Sequence, residues 1–70
     1  YMLQSIVFDK SLWDTKSAKA WLNRNGLKPI KRVHITNTQL RYRMALPVKN
    51  ANYYSKYVDN GVLFVMFSHP

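Results

Sequence analysis

Apolar residues recur along this chain with the period of a β-strand in several segments and with that of a helix in one. Residues 2–8 (MLQSIVF) are mostly apolar and uncharged, which favours a first strand. Residues 30–36 (IKRVHIT) and 39–46 (QLRYRMAL) alternate between apolar and polar, as strands with one buried face do. The run at 62–67 is apolar on both faces, which predicts a last strand inside a sheet.

The helical segment has well-marked ends. Asp14 is a good N-cap, because its carboxylate accepts backbone N–H bonds and suits the positive end of the helix dipole. Asn25-Gly26 supplies the left-handed residue that closes a helix, and Leu27 can then fold back as in a Schellman ending. We therefore predict a short amphipathic helix at 14–25. Its buried face carries Ala18, Trp21 and Leu22.

The two alternating segments form a predicted hairpin, because Asn37-Thr38 between them is a turn signal. With a two-residue turn, residues whose numbers sum to 75 lie opposite each other. The apolar face, which the helix should cover, then carries Val33, Ile35, Leu40 and Tyr42. The opposite face carries Arg32, His34, Arg41 and Arg43.

The segment after the hairpin has no clear hydrophobic period. Pro47 ends the hairpin, and the polar, tyrosine-rich residues 48–60 predict a loop or one weak helical turn at 53–58. The predicted order is β-α-β-β-(loop)-β. We therefore expect a single basic α+β domain over residues 1–70, with one amphipathic helix packed on a small, mainly antiparallel sheet of three or four strands.

Charge is the strongest compositional signal. Eleven Lys and Arg residues face three acids, and the formal net charge is +8. Such a balance favours a polyanionic partner, although small soluble domains also tolerate net charges of this size. The chain has no cysteine, two separated histidines and no evident catalytic set of carboxylates or of Ser, His and Asp. We therefore predict no metal site, no cofactor and no enzymatic activity.

The arginine-bearing face of the hairpin is the candidate binding site. Arginine matches phosphate with a planar fork of donors, and nearby lysines add positive charge. The predicted nucleic-acid contacts are Arg32, His34, Arg41, Arg43, Lys28 and Lys31. The predicted base-stacking residues are Tyr53, Tyr54 and Phe64. A merely solvated sheet face would carry arginines as well, and the tyrosines also have the spacing of a helical turn packed on the core.

Several short motifs follow one another between residues 8 and 62. They are Phe8-Asp9-Lys10-Ser11-Leu12-Trp13-Asp14, Ala18-x-x-Trp21-Leu22, Asn25-Gly26-Leu27-Lys28, Arg41-Tyr42-Arg43 and Asn60-Gly61-Val62. In these motifs the chain resembles a short module encoded by tailed phages and large DNA viruses. The resemblance implies a viral origin and a helix-plus-sheet layout, with Arg41 and Arg43 matching an Arg-x-Arg of the module. Residues 53–59 depart from the module's pattern.

Two functions fit these features. The first is a small viral basic protein that binds DNA or RNA through the arginine face without catalysis. The second is a structural or protein-protein interaction module of the virion or capsid, with weak self-association at a sheet edge. The longest apolar run, 62–67, is far shorter than the about 20 residues that span a bilayer, so we expect no membrane partner. The expected location is intracellular, in the host cytoplasm or nucleus, or within the virion.

Overall fold

A computed structural model describes residues 1–69 and shows one helix packed against a five-stranded sheet. The elements are β1 (Met2–Asp9), α1 (Thr15–Arg24), β2 (His34–Ile35), β3 (Gln39–Arg43), β4 (Asn52–Asp59) and β5 (Val62–Ser68). The strands lie in the order β2-β3-β1-β5-β4, and every neighbouring pair is antiparallel. The predicted α+β class is confirmed, but the sheet of five strands is larger than predicted.

β1 is the central strand, and its side chains alternate between the two faces of the sheet. Ile6 and Phe8 are fully buried in the core that α1 covers, whereas Val7 between them points to the other face. Ile6 lies opposite Tyr42 of β3 on one side and opposite Phe64 of β5 on the other. Because residues opposite each other share a face, β3 and β5 also direct these two aromatic side chains toward the helix.

The helix boundaries follow from caps at both ends. The Asp14 carboxylate accepts a hydrogen bond from the Ser17 backbone N–H at 2.7 Å, and the Ser17 hydroxyl accepts one from the Asp14 N–H at 3.1 Å. At the other end Gly26 has a φ of +68°, and the Leu27 N–H donates to the Leu22 carbonyl at 2.9 Å. Both predicted helix ends, including the Schellman ending, are therefore confirmed.

Replacing Asp14 with alanine is expected to lower the free energy of unfolding at pH 7, because the Ser17 N–H loses its acceptor. The hydrogen bond from the Ser17 backbone, helped by its side chain, holds the pKa of Asp14 below its ordinary value. Such a carboxylate stabilises the fold fully above its unfolded pKa of about 3.9 and loses this effect as the pH falls through the lower folded value.

The deficit of Asp14→Ala should therefore shrink as the pH falls from about 4 to about 2. Urea unfolding at several pH values checks this, with Asp14→Asn as the control that keeps an acceptor at every pH. A deficit that is equal at both ends of the pH range would contradict the role of the carboxylate.

The segment after the hairpin is a strand, so the prediction of a loop or helical turn there is wrong. β4 pairs with β5 from Asn52 opposite Ser68 to Asp59 opposite Val62. All eight residues of β4 are exposed, and no buried apolar side chains mark it in the sequence. The hydrogen-bond ladder to β5 holds this segment in place.

The β2–β3 hairpin has the predicted register but a shorter first strand. His34 lies opposite Arg41, as a two-residue turn requires. Residues 30–33 bend instead of continuing the ladder, and Val33 packs against the core on the way from the helix to the hairpin. The predicted strand pairing of residues 32 and 33 is therefore not formed.

Both tryptophans of the chain tie the turn between β4 and β5 to the rest of the domain. The indole N–H of Trp13 donates to the Asn60 carbonyl at 2.8 Å, and that of Trp21 donates to the Asp59 carboxylate at 2.9 Å. One tryptophan precedes the N-cap and the other belongs to α1. The end of β4 and the turn after it are therefore fixed both to α1 and to the residue before its N-cap.

Candidate nucleic-acid interface

The side of the sheet that points away from α1 is called the open face below. Strand alternation directs Arg41 and Arg43 of β3 to this face, because their neighbours in the strand point to the core. Arg41 lies opposite Val7, and Arg43 lies opposite Ser5 of β1. His34 of β2 lies on the other side of Arg41. One side of the sheet thus carries the arginines that the hairpin pattern predicted, with no helix over them.

A concavity of about 480 Å³ on the open face gathers most of the predicted contacts, and we call it the arginine concavity. Its basic lining residues are Lys31, Arg32, His34, Arg41 and Arg43. Its other lining residues are Gln4, Ser5, Pro47, Tyr53 and Val65. Lys28 does not line it and belongs to a concavity on the helix side. The bend at 30–33 brings Lys31 and Arg32 into the arginine concavity. The strands alone would not place these two residues there.

No carboxylate of the described residues lines the arginine concavity. Each of the three acids accepts hydrogen bonds from donors away from the arginines. Asp9 accepts from Ser11, and Asp14 accepts from Ser17. Asp59 accepts from Trp21 of the helix and from Asn60. These bonds hold the pKa of each carboxyl below its ordinary value. Where a nearby cation contributes, it is Lys16 or Arg24 of the helix. Within residues 1–69, the arginines of the open face are therefore not neutralised by an acid.

The two ends of the open face differ in charge, because the cations line one concavity and Asp9 lines the other. A smaller concavity of about 160 Å³ lies at the end near the β4–β5 turn and is lined by Asp9, Gln39 and Tyr57 among others. Asp9 lies opposite Gln39, two residues along β3 from Arg41. An anion is therefore expected over the half of the face that contains Arg43, away from the carboxylate.

The middle of the open face is an apolar floor that neighbouring side chains cover. Val7 is 4% exposed and Phe67 is 2% exposed, although no helix lies over them. The Phe67 ring packs against the rings of Tyr53 and His69, with centroid distances of 6.3 and 5.9 Å. Amphipathic side chains can cover apolar surface in this way and keep their polar ends in water.

The tyrosines of β4 are divided between the two faces of the sheet. Tyr53 and Tyr57 lie on the open face, and Tyr57 is 74% exposed. Tyr54 lies on the helix side, where its ring packs edge-on against Tyr1 at 4.4 Å. Their interpretation as a helical turn on the core is wrong. A spacing of four residues, as between Tyr53 and Tyr57, fits one face of a strand as well as one face of a helix.

Phe64 lies on the opposite side of the sheet from the arginines. It is paired with Ile6, and its ring packs edge-on against Trp21 with centroids 6.0 Å apart. A base on the open face cannot reach it. Of the three predicted stacking residues, only Tyr53 lines the arginine concavity. Tyr57 lies on the same face of the sheet as Tyr53.

Gln4 is a buried polar residue of the arginine concavity that sequence reasoning missed. It is 6% exposed, and its Nε2 donates to the Ala45 carbonyl at 2.6 Å. Its Oε1 has no hydrogen-bond partner among the described residues. The signal for such a residue was an amide inside the otherwise apolar run at 2–8.

Comparison with known proteins found no match to a protein-family model, a curated protein or a solved structure. In the part of the chain that the structure describes, the helix lacks the length and apolar character needed to cross a membrane. Within residues 1–69, no three His, Cys, Asp or Glu side chains form a group that could hold a metal ion. The basis for a functional proposal is therefore the geometry and charge of the open face.

Proposed function

We propose that this protein binds nucleic acid through the phosphates, with the open face as its contact surface, and that it acts without catalysis. The observation behind the proposal is the register of the hairpin. It sets Arg41 beside His34, and the bend at 30–33 adds Lys31 and Arg32 to the concavity that also contains Arg43. No acid of the described residues lines that concavity. A polyanion is the partner that such a surface suits best.

Clustered arginines repel each other unless they meet an anion, because like charges that lie close together raise the energy of the folded state. Phosphate removes this repulsion and accepts two parallel hydrogen bonds from one guanidinium group. A charge-assisted contact of this kind contributes about 1.5–3 kcal/mol. With three or four phosphates contacted, the logarithm of the binding constant should fall with the logarithm of salt concentration with a slope of about −2 to −4.

The exposed tyrosines favour a single strand over a duplex. Tyr53 is 49% exposed and Tyr57 is 74% exposed, and both lie on the open face. Unpaired bases stack on such rings without sequence preference, with about 1–3 kcal/mol per base. Bases in a duplex are stacked on each other and are not available to these rings. We therefore expect the protein to bind single strands more tightly than duplexes of the same length.

A viral setting for this activity is supported by the resemblance to the phage and large-virus module. Arg41 and Arg43 belong both to the matching motif and to the arginine concavity. The protein would then act in the host cytoplasm or nucleus, or with the genome inside the virion.

The test is a fluorescence-anisotropy titration of labelled single strands and duplexes at low salt and at physiological salt. Changing both Arg41 and Arg43 to serine is expected to weaken binding at least tenfold, because two phosphate contacts are lost. The salt slope should become shallower by about 1 to 2 as well. The matched control changes Lys16 and Lys49, two exposed cations outside the arginine concavity, to serine and removes the same net charge.

The control variant should lose much less affinity than the arginine variant. Equal losses in both variants would mean that net charge alone governs binding and that the open face is not the site. Failure of the wild-type protein to bind either probe at low salt would exclude the proposed function.

A second candidate function is a protein-protein contact through the edge of the sheet, as in a virion or capsid component. β4 is an edge strand of eight residues, all exposed, with one side of its backbone unpaired by the sheet. An added strand could pair with this edge. Sedimentation at increasing protein concentration tests self-association, and a monomer at all concentrations would argue against it.

A further inference from the structure

A second concavity lies on the helix side of the sheet, between the C-terminal end of α1 and the segment at 27–33, and we call it the helix concavity. Its volume is about 680 Å³, within the range of small-molecule sites. Leu22, Leu27 and Val33 provide apolar walls. Open apolar surface of this kind suits a flat, weakly polar group.

One residue that lines this concavity carries a buried hydroxyl without a partner among the described residues. Tyr42 lines it and is 2% exposed, and its hydroxyl has no hydrogen-bond partner among the described residues. Buried tyrosine hydroxyls normally find a partner, because leaving one unpaired is unfavourable. Burial raises the pKa of Tyr42, so the group stays a neutral donor. Because the hydroxyl has no accessible surface, a ligand can bond to it only if a covering side chain moves.

The rim of the helix concavity is basic. The cations that line it are Lys19, Lys28, Lys31 and Arg32. No acid of the described residues lines it. A ligand therefore needs an anionic group at the rim together with a less polar body between the walls.

The three features together select one class of ligand. We propose that the helix concavity binds one nucleotide, with its base between the apolar walls, an acceptor on the base edge bonded to the Tyr42 hydroxyl, and its phosphate at Lys28 and Lys31. A fatty acid fits less well, because its only acceptors are at the carboxylate end and would stay at the rim. The buried hydroxyl would then remain unpaired.

The nucleotide can be free, or it can be part of a strand that is bound to the open face. The second case rests on the proposed function. Lys31 and Arg32 line both the arginine concavity and the helix concavity. A strand on the open face can therefore follow these two side chains around the bend at 30–33 and insert one unpaired base on the helix side. This arrangement adds a second reason for single-strand preference.

The test titrates the full chain with each nucleoside monophosphate and follows the methyl signals of Leu22, Leu27 and Val33 by NMR. Tyr42→Phe removes only the hydroxyl, so it should bind the preferred nucleotide about three- to tenfold more weakly. Its midpoint of urea unfolding should equal or exceed that of the wild type, because no hydrogen bond of the fold is lost. Lys28→Ser is the second variant and should weaken nucleotide binding much more than duplex binding, because Lys28 lines the helix concavity but not the arginine concavity.

The outcomes separate this inference from the proposed function. Unchanged nucleotide affinity in both variants, or no nucleotide binding by the wild type, overturns the inference even if duplex DNA still binds the open face. Nucleotide binding that both variants weaken, without any binding of strands or duplexes, supports a free-nucleotide site and excludes the proposed function. A single-strand preference that Tyr42→Phe reduces, with duplex affinity kept, supports insertion of a base from a bound strand.

Discussion

Replacement of Phe8 by alanine is expected to remove half or more of the free energy of unfolding of the protein. Phe8 is fully buried, and its ring packs edge-on against the rings of Trp13, Trp21 and Tyr42 at centroid distances of 5.2, 5.8 and 5.6 Å. Removing a buried phenylalanine costs about 3–5 kcal/mol, and a domain of 70 residues has only about 4–10 kcal/mol in total. Because the contacts with the three aromatic rings are lost as well, we expect a loss near the upper end of this range.

Circular dichroism and tryptophan fluorescence during urea unfolding measure the effect. Phe8→Leu should remain folded with a smaller loss, so it gives a free energy of unfolding even if the alanine variant is unfolded in water. Tyr57→Ala is the control, because this ring belongs to the same sheet but is 74% exposed, and its loss should stay within about 0.5 kcal/mol. A wild-type unfolding midpoint for Phe8→Ala would contradict the central position of this ring in the core.

Replacing Gly61 with alanine is expected to cost about 2–4 kcal/mol, from strain and crowding together. Gly61 has a φ of +72°, where residues with a Cβ are strained. An added Cβ would lie 2.9 Å from Leu12 Cδ1, 3.1 Å from Trp13 Nε1 and 3.2 Å from Asp9 Cβ. The leucine side chain is exposed and can rotate away. The indole cannot move without stretching its hydrogen bond to the Asn60 carbonyl.

Gly26→Ala separates the two contributions to this loss. Gly26 has nearly the same φ, +68°, but an added Cβ there meets no atom within 4 Å. It should therefore cost only the left-handed strain, about 1–2 kcal/mol. Urea unfolding of both variants measures the difference, and the NMR signal of the Trp13 indole N–H should shift only in Gly61→Ala. Equal losses in the two variants would mean that the β4–β5 turn is not held as tightly as its contacts indicate.

The helix could be predicted from sequence because its ends are encoded locally. Asp14, Gly26 and Leu27 act through hydrogen bonds that span six residues or fewer, and each residue type is suited to its position. The register of the β2–β3 hairpin was equally local, because a two-residue turn fixes which residues are opposite each other. Such features need no knowledge of the rest of the chain.

β4 could not be recognised in the same way. Both of its faces are exposed, so burial leaves no alternating pattern in its sequence. The tyrosine spacing fits a helical turn, and only the ladder to β5 selects the extended form. Tertiary pairing of this kind overrides local preference, because backbone groups of the segment gain partners across the sheet.

The candidate site was predictable only where the local sequence determines the position of a side chain. Alternation in β3 was enough to place Arg41 and Arg43 on one face. The inclusion of Arg32 depends on a bend, and the exclusion of Phe64 depends on its pairing with Ile6 across the sheet. Neither the bend nor the β1–β5 register is encoded within a few residues. The position of Tyr53 and Tyr57 on one face of the sheet also depends on the extended form of β4.

The central position of β1 has a consequence for how the domain folds. β1 pairs with β5 at the far end of the sequence, with Met2 opposite Phe67 and Phe8 opposite Val62. Contacts between such distant residues give a high relative contact order, and chains of this kind fold in milliseconds to seconds rather than microseconds. During translation β1 is made before residues 62–68, so one of its edges stays unpaired until they have been added. The hydrophobic residues of β1 are thus the ones that a chaperone on the ribosome would meet longest.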